Sequence, residues 1–470
     1  MTKTRKAHAI RRGFNSGAAP VTGHSRRAAR GGKAFEAVVH GGRIKPGGAR
    51  RSRVALAMAG GGPLGAIYEV GALTALAESL QGIDLNDLDI YVGVSAGGII
   101  GAGLANRITP REMSRMFIEP EPGRRKSEAS VERFDPTLLM RPAFAEYVAS
   151  VRKLPPLLIQ ALWRYAFAGR GLGVSGFVGA AGHLAKALPT GFFSSRALQE
   201  FLARIFGAPG RTDDFRALRS RLFLVATDLD SGVAVEFGAP EHDAVPISLA
   251  AVASSALPGL FPPVTIAGRQ YVDGVLNRTL HASVALKQGA DLVLCLNPLV
   301  PYDDRAVAGA GGVPRRQIDG GLPNVLMQTM RSVIRSRMEI GMRQYGDDYP
   351  DADVILFEPD RADGAMFFAN MFSYANRNRL GEHAYQRTRA QLWTRRHQLT
   401  PLLARHGISL NLALLRDRSR TLIGQDTRPA RRPLLPVTEV TARLTEELDD
   451  LGRYLQQARR APMVRVAARR

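Results

Sequence analysis

One cysteine, Cys295, stands in 470 residues. A single thiol excludes any internal disulfide and fits a reducing compartment. Its setting in the apolar run "DLVLCLNP" marks it as a small buried hydrophobe. No apolar run reaches the ~18 residues of a membrane-spanning helix, so none is expected. Arg11-Arg12 is followed by no apolar segment, which argues against a secretory signal. These absences predict a cytoplasmic protein. No cluster of His, Cys or acidic residues has metal-ligand spacing, so neither a metal nor a cofactor is expected.

Acidic residues are also scarce: 42 against 64 Lys and Arg, for a net charge of +22. The imbalance sits at the ends. Residues 1–53 carry 14 Lys/Arg against one acid, Glu36, and residues 402–470 carry 14 Arg against seven acids. The ends are thus +13 and +7, and residues 54–401 are nearly neutral at +2. A neutral middle gives no support to specific nucleic-acid binding there. The ends suit a polyanion, including anionic lipid headgroups, so peripheral contact with an anionic membrane is expected.

What remains is globular: 45% hydrophobic and 23% charged residues, enough for a large core. Residues 1–53, rich in Arg, Gly, Ala and Ser, are expected to be a disordered basic arm. Order is expected from Val54. "VALAMAGGG" reads as a buried strand, and "PLGAIYEVGALTALAESL" as a helix with Ile67, Val70, Leu73, Leu76 and Leu80 on one stripe. "LDIYVGVSAGG" repeats the strand, turn, helix order. Two such units predict an α/β fold with a central, mostly parallel sheet flanked by helices.

Residues 107–195 read as an insertion or lid, broken by Pro110, Pro120, Pro122 and Pro136. Within it Trp163, Tyr165 and Phe167 lie beside Arg164 and Arg170, a pattern compatible with core packing or with an interfacial face. Further strands are expected in "RLFLVATDLDSG", "VAVEFG", "GRQYVDG", "GADLVLCLNP" and "ADVILFEP". A helix is expected within 322–345 and more helix over 376–406. Val437, Val440, Leu444, Leu448, Leu451 and Leu455 predict an amphipathic helix in a basic C-terminal tail. The resulting division is 1–53, 54–299, 300–406 and 407–470.

"LDIYVGVSAGGIIGAG" carries the chemical signal. Ser95, between Gly93 and Gly97, follows a strand and precedes a helix. Such a turn lifts the hydroxyl out of the sheet, and the helix N-terminus aims its N–H groups and positive end at the site. A serine nucleophile needs a base. His183, His242, His281, His383, His397 and His406 follow Ser95, and none stands in a clear strand-end loop. "YVDG" offers a carboxylate instead, Asp273, at a strand end before Gly274. Asp228 of "ATDLD" reads as a structural turn residue and is the second choice. Developing negative charge needs paired donors, and "AGGGPLG" supplies Gly60, Gly61, Gly62 and Gly65 between a strand and a helix. It departs from both the dinucleotide fingerprint and the phosphate-binding loop.

These three elements, in this order, resemble the patatin-like phospholipase family, with "VATDLDSG" and "ASSALPGLFPPVTIAGRQYVDG" extending the likeness over roughly Val54 to Leu299. The resemblance implies a modified hydrolase-type α/β sheet and a lipid substrate. It also implies a Ser95–Asp273 dyad without histidine, and an oxyanion hole at Gly60, Gly61 and Gly62. Leu64 stands where the family usually has Arg or Lys, and Val275 where it has Gly or Ala. Two other readings stay open: a Ser-His-Asp esterase, and a lipid- or granule-surface binding protein on the same scaffold.

Overall fold

The computed structural model describes residues 51–119, 134–135, 138, 141–143, 190–277, 280–301, 303, 321–361, 363 and 376–423. The chain divides into Met1–Glu36 and Ala37–Arg470, and every described residue lies in the second unit. Ten strands are described: β1 (Val54–Met58), β2 (Leu80–Gln81), β3 (Ile90–Gly93), β4 (Arg221–Asp228), β5 (Ala234–Phe237), β6 (Val264–Ile266), β7 (Arg269–Asp273), β8 (Leu292–Leu296), β9 (Asp353–Phe357) and β10 (Ser409–Leu410). The main sheet runs β6-β7-β4-β3-β1-β8-β9, with β5 on β4. Strands β4, β3, β1, β8 and β9 are mutually parallel, while β5, β6 and β7 form an antiparallel end. The expected fold class is therefore the observed one.

The period of two explains how the sheet is covered. In β1, Leu56 and Met58 face one core and Ala55 and Ala57 the other; in β8, Leu292, Leu294 and Leu296 separate from Val293 and Cys295 in the same way. Both faces are buried, which is why these strands read as unbroken apolar runs. The larger side chains pack with helices α1 (Gly62–Ser79), α2 (Ala96–Ala105) and α3 (Pro110–Phe117), and with those at Arg196–Phe206, Ile247–Ser254 and Arg377–Thr394. The smaller ones pack with the helices Ala282–Lys287 and Gly321–Asp348.

Several expectations change in detail. Helix α1 ends at Ser79, and Leu80 opens β2. The helix has no polar face: Tyr68, Glu69, Ala72 and Ala75 are as buried as Ile67 and Leu73. It is sandwiched between the sheet and the helix Arg377–Thr394, where Gly71 lies against the Gly381 carbonyl and the Tyr385 hydroxyl donates to Glu78. Pro110 opens α3 rather than breaking the chain. It occupies the first turn, where no N–H is needed, behind a capping box formed by Thr109 and Glu112. Met113, Met116 and Ile118 then join the core, so the start of the expected insertion is structural.

The packing also continues past residue 406. Strand β10 pairs with β2, Leu415 and Leu422 are buried, and Arg389 donates to the Leu414 and Asp417 carbonyls. The arm expected to be disordered, up to residue 50, the Trp163–Arg170 segment and the helix expected over 437–455 lie outside the described residues, as does most of the expected loop 302–322. No helix among the described residues is long and apolar enough to cross a membrane.

Candidate active site

Strands β1, β3 and β7 deliver the three sequence elements to the carboxyl edge of the parallel strands. Ser95 follows β3 and is the N-cap of α2, with φ 53° and ψ −125°. A positive φ on a residue with a Cβ is strained, and the surroundings hold it there. Its carbonyl accepts from the Gly98 and Ile99 N–H groups, and its own N–H donates to Ser254 Oγ at 2.9 Å. Ser254, fully buried, donates in turn to the Val225 carbonyl of β4.

The flanking glycines are required by close approach. A Cβ at Gly93 would come within 2.5 Å of Gly98 Cα, and one at Gly97 within 2.6 Å of the Ala59 carbonyl oxygen. Helix α2 therefore crosses directly over the ends of β1 and β3, and its N-terminus points at the serine.

Asp273 ends β7 opposite Ala226 of β4. Its main chain is fixed on both sides: its N–H donates to the Ala256 carbonyl, and its carbonyl accepts from the Thr227 hydroxyl. The Asp273 carboxylate accepts the Val275 N–H at 2.9 Å, and the Ser95 hydroxyl lies near enough to favour its charged form. The carboxyl is almost completely buried. Burial pushes its pKa up to about 7, against the lowering effect of the Val275 N–H and the nearby Ser95 hydroxyl.

The turn after Asp273 is a short helical turn, Gly274–Leu276. A Cβ at Gly274 would lie 2.3 Å from the Val225 carbonyl oxygen, so only glycine lets the turn cross β4 so closely. Val275 buries its side chain among apolar residues and keeps the N–H that holds the aspartate.

Gly60, Gly61 and Gly62 pass beside the serine: a Cβ at Gly60 would touch Ser95 Cβ at 3.0 Å. Helix α1 begins at Gly62, so the first N–H groups there have no acceptor within the helix. The loop is wedged from behind by Pro298, which leaves 2.7 Å for a Cβ at Gly61 and 3.1 Å for one at Gly65. Leu64 is buried in the core, so an apolar contact replaces the usual cation.

A narrow cleft of about 90 Å³ opens beside Ser95. Ile99, Phe117, Phe134, Leu198, Phe201 and Phe261 are among the side chains that wall it. Such a lining receives hydrocarbon and offers few partners to a polar group.

The described histidines are engaged elsewhere. His383 bonds Asp363, His406 bonds Ser52 and Asp353, and His242 meets the Phe237 ring edge-on. His281 is buried at the start of Ala282–Lys287, His397 is exposed, and His183 lies outside the described residues. Asp228 accepts from the Asp230 and Ser231 N–H groups and from Arg269, whose hydrogen bond keeps its carboxyl below the usual range. That is the behaviour of a turn residue. No group of three or more His, Cys, Asp or Glu able to hold a metal occurs among the described residues.

Sequence reading missed Ser254 and Pro298. Both stand in segments already noticed, "ASSALPGLFPP" and "DLVLCLNP", but nothing local reveals what they touch.

No curated protein matches the chain. Among solved structures, VipD from Legionella pneumophila is 16% identical, with 74% of this chain and 67% of that one covered and a TM-score of 0.34. The type III effector ExoU is 15% identical, with coverage of 74% and 53% and a TM-score of 0.30. ExoU in complex with SpcU, from the type III secretion system of Pseudomonas aeruginosa, is 16% identical, with coverage of 63% and 53% and a TM-score of 0.23. The chain thus spans about half the length of ExoU. A sequence model of one family, the patatin-like phospholipases, matches residues 56–286. That span runs from β1 to the helix after Asp273 and contains the glycine loop, Ser95, Ser254 and Asp273. On this match, the segment belongs to the patatin-like phospholipase family.

Proposed function

We propose that the protein is a serine hydrolase of lipid acyl esters, working through Ser95 and Asp273. The observation that carries this reading is the convergence of Ser95, on its strained turn, with the buried Asp273 carboxylate, whose charged form the nearby serine hydroxyl favours. A hydroxyl is a weak nucleophile at neutral pH, and a carboxylate in contact with it can take its proton as the oxygen attacks. Desolvation makes Asp273 a stronger base than an exposed carboxylate, with a pKa matched to neutral pH.

In the first half-reaction Ser95 Oγ attacks the ester carbonyl carbon, and its proton passes to Asp273. The tetrahedral oxyanion is held by N–H groups of Gly60, Gly61 and Gly62 and by the positive end of α2. Collapse expels the alcohol, which takes the proton from Asp273 and leaves an acyl-serine. Water, deprotonated by the same carboxylate, then releases the fatty acid and restores the serine. The apolar cleft beside Ser95 supports an unbranched hydrocarbon chain as the acyl group.

A fluorophosphonate probe tests the nucleophile. We expect labelling of the wild-type protein and none of Ser95→Ala, with p-nitrophenyl ester turnover lost in parallel and the thermal melt kept. Turnover by Ser95→Ala at the wild-type rate would end this assignment.

A further inference from the structure

Behind the glycine loop lies a buried polar network that takes no part in the proton transfers at Ser95. It starts in the turn after β8. Asn297 is fully buried and extends the β8–β9 ladder by donating its N–H to the Phe357 carbonyl. Its side chain folds over the next residue: Oδ1 accepts the Leu299 N–H at 3.1 Å, and Nδ2 donates to the Leu299 carbonyl at 3.3 Å. Asparagine closes such turns on its own main chain. The residue enclosed is Pro298, whose ring leaves 2.7 Å for a Cβ at Gly61 and 3.1 Å for one at Gly65.

Asn297 is itself held. Its Nδ2 also donates to Glu358, the residue after β9, at 3.3 Å. Arg335, on the helix Gly321–Asp348, donates to both oxygens of that carboxylate at 2.7 Å and to Glu339 at 2.7 Å. Arg361 joins Glu339 at 3.0 Å. The Arg335 and Glu358 side chains are almost wholly withdrawn from water, 5% and 12% exposed. A buried ion pair is a poor source of stability, because desolvating both charges offsets most of their attraction. What it supplies is geometry, since charge-assisted bonds of this kind are short and directional. The turn around Pro298 is therefore fixed relative to β8, β9 and the long helix, and the proline ring carries that position to the glycine loop.

We propose that Pro298, braced by Asn297, Glu358 and Arg335, is a positioning residue that holds the N–H groups of Gly60, Gly61 and Gly62 at the distance from Ser95 that an oxyanion needs. Consecutive glycines have no side chains to fix their backbone from within. The loop is instead held from both sides: Gly60 meets Ser95, and Gly61 meets Pro298. Oxyanion donors act over a narrow range, ~2.7–3.1 Å from the developing charge, so a small retreat of the loop weakens them. The proposal rests on the hydrolase reading for the use of the loop.

The test is Pro298→Ala in the full chain, which removes the wedge and leaves the side chains of the network in place. We expect kcat for a p-nitrophenyl ester to fall about tenfold or more with KM unchanged. An alkyl trifluoromethyl ketone, whose adduct with Ser95 carries an oxyanion, should bind more weakly by the same factor. The melting temperature should stay close to the wild-type value. Asn297→Ala should lower kcat and ketone affinity in the same way, and the double variant should be little worse than either, because both act through one contact. Fully additive losses would overturn the proposal. So would a lower melting temperature with kcat and ketone binding kept, which would make the network a structural support alone. Amide exchange at Gly65, whose N–H donates to the Gly61 carbonyl, gives a readout independent of catalysis. Pro298→Ala should speed it about tenfold and leave exchange in β8 unchanged. Unchanged exchange at Gly65 would overturn the proposal. If wild type hydrolyses no ester but this exchange rises, the brace on the loop stands and the hydrolase reading falls.

Discussion

The main-chain N–H of Ser95 donates to the hydroxyl of Ser254 at 2.9 Å, across 159 positions of sequence. Because Ser254 also donates to the Val225 carbonyl, one buried hydroxyl ties the nucleophile turn to β4. The contact stabilises a backbone angle, φ 53°, that serine would not otherwise keep.

Ser254→Ala should therefore lower kcat by about ten- to a hundredfold with little change in KM, since small misplacement of a nucleophile is costly. Two buried main-chain groups lose a partner, so stability should fall by about 1–3 kcal/mol. Steady-state kinetics beside a denaturant melt check both. An unchanged kcat would show that Ser95 holds its geometry without the clamp.

Asp273→Asn should cost on the order of 10² to 10⁴ in rate, the usual value of a general base. No single histidine substitution, His242→Ala and His281→Ala included, should cost more than about tenfold, or ~1.4 kcal/mol of barrier. A dead histidine variant beside an active Asp273→Asn would replace the dyad with a triad.

The pH profile carries a specific expectation. With its carboxyl near pKa 7, Asp273 is protonated in acid and can no longer take the serine proton. Between pH 7 and 5, kcat/KM should fall about tenfold per unit. This limb lies where a histidine would put one, ~6.5, so it must be read on the histidine variants, where it should persist. A limb that vanishes in one of them would move the titration off Asp273.

Glu69 is fully buried in α1, and neither carboxyl oxygen meets a partner among the described residues. Desolvation raises its pKa well above normal. Glu69→Leu should stabilise the fold by about 1–3 kcal/mol at neutral pH. Glu69 and Asp273 both bind protons more tightly when folded. Their stability contribution is complete below the unfolded values of ~4 and is lost as pH rises through the folded ones, about 7 for Asp273. Denaturant melts across pH should show the variant's advantage growing from pH 4 upward. A constant difference would mean that Glu69 does not change protonation on folding.

The basic ends should add a salt-dependent component to vesicle binding. The full chain should bind anionic vesicles more tightly than residues 51–423 at low salt, and the difference should shrink at high salt. Equal binding at low salt would remove any role for the ends.

The sequence by itself determined the parallel sheet and its two candidate groups. Unbroken apolar runs such as "VALAM" and "LVLCL" can only be strands covered on both faces. Gly93, Gly97 and Gly274 mark places where backbones meet at contact distance, and that requirement is local enough to read around Ser95 and Asp273. Pro110 was misread because the same residue breaks a helix from inside and opens one at its first turn, and the capping box decides which. The two-residue strands β2 and β10 have no period to detect. Only the tertiary structure brought Ser254 under Ser95, pressed Pro298 against the glycine loop and linked Arg335 through Glu358 to Asn297. It also raised the Asp273 pKa, because desolvation depends on everything packed around the carboxyl. Each of these is a contact between segments far apart in the chain, and no residue's type or spacing encodes the distance that folding closes.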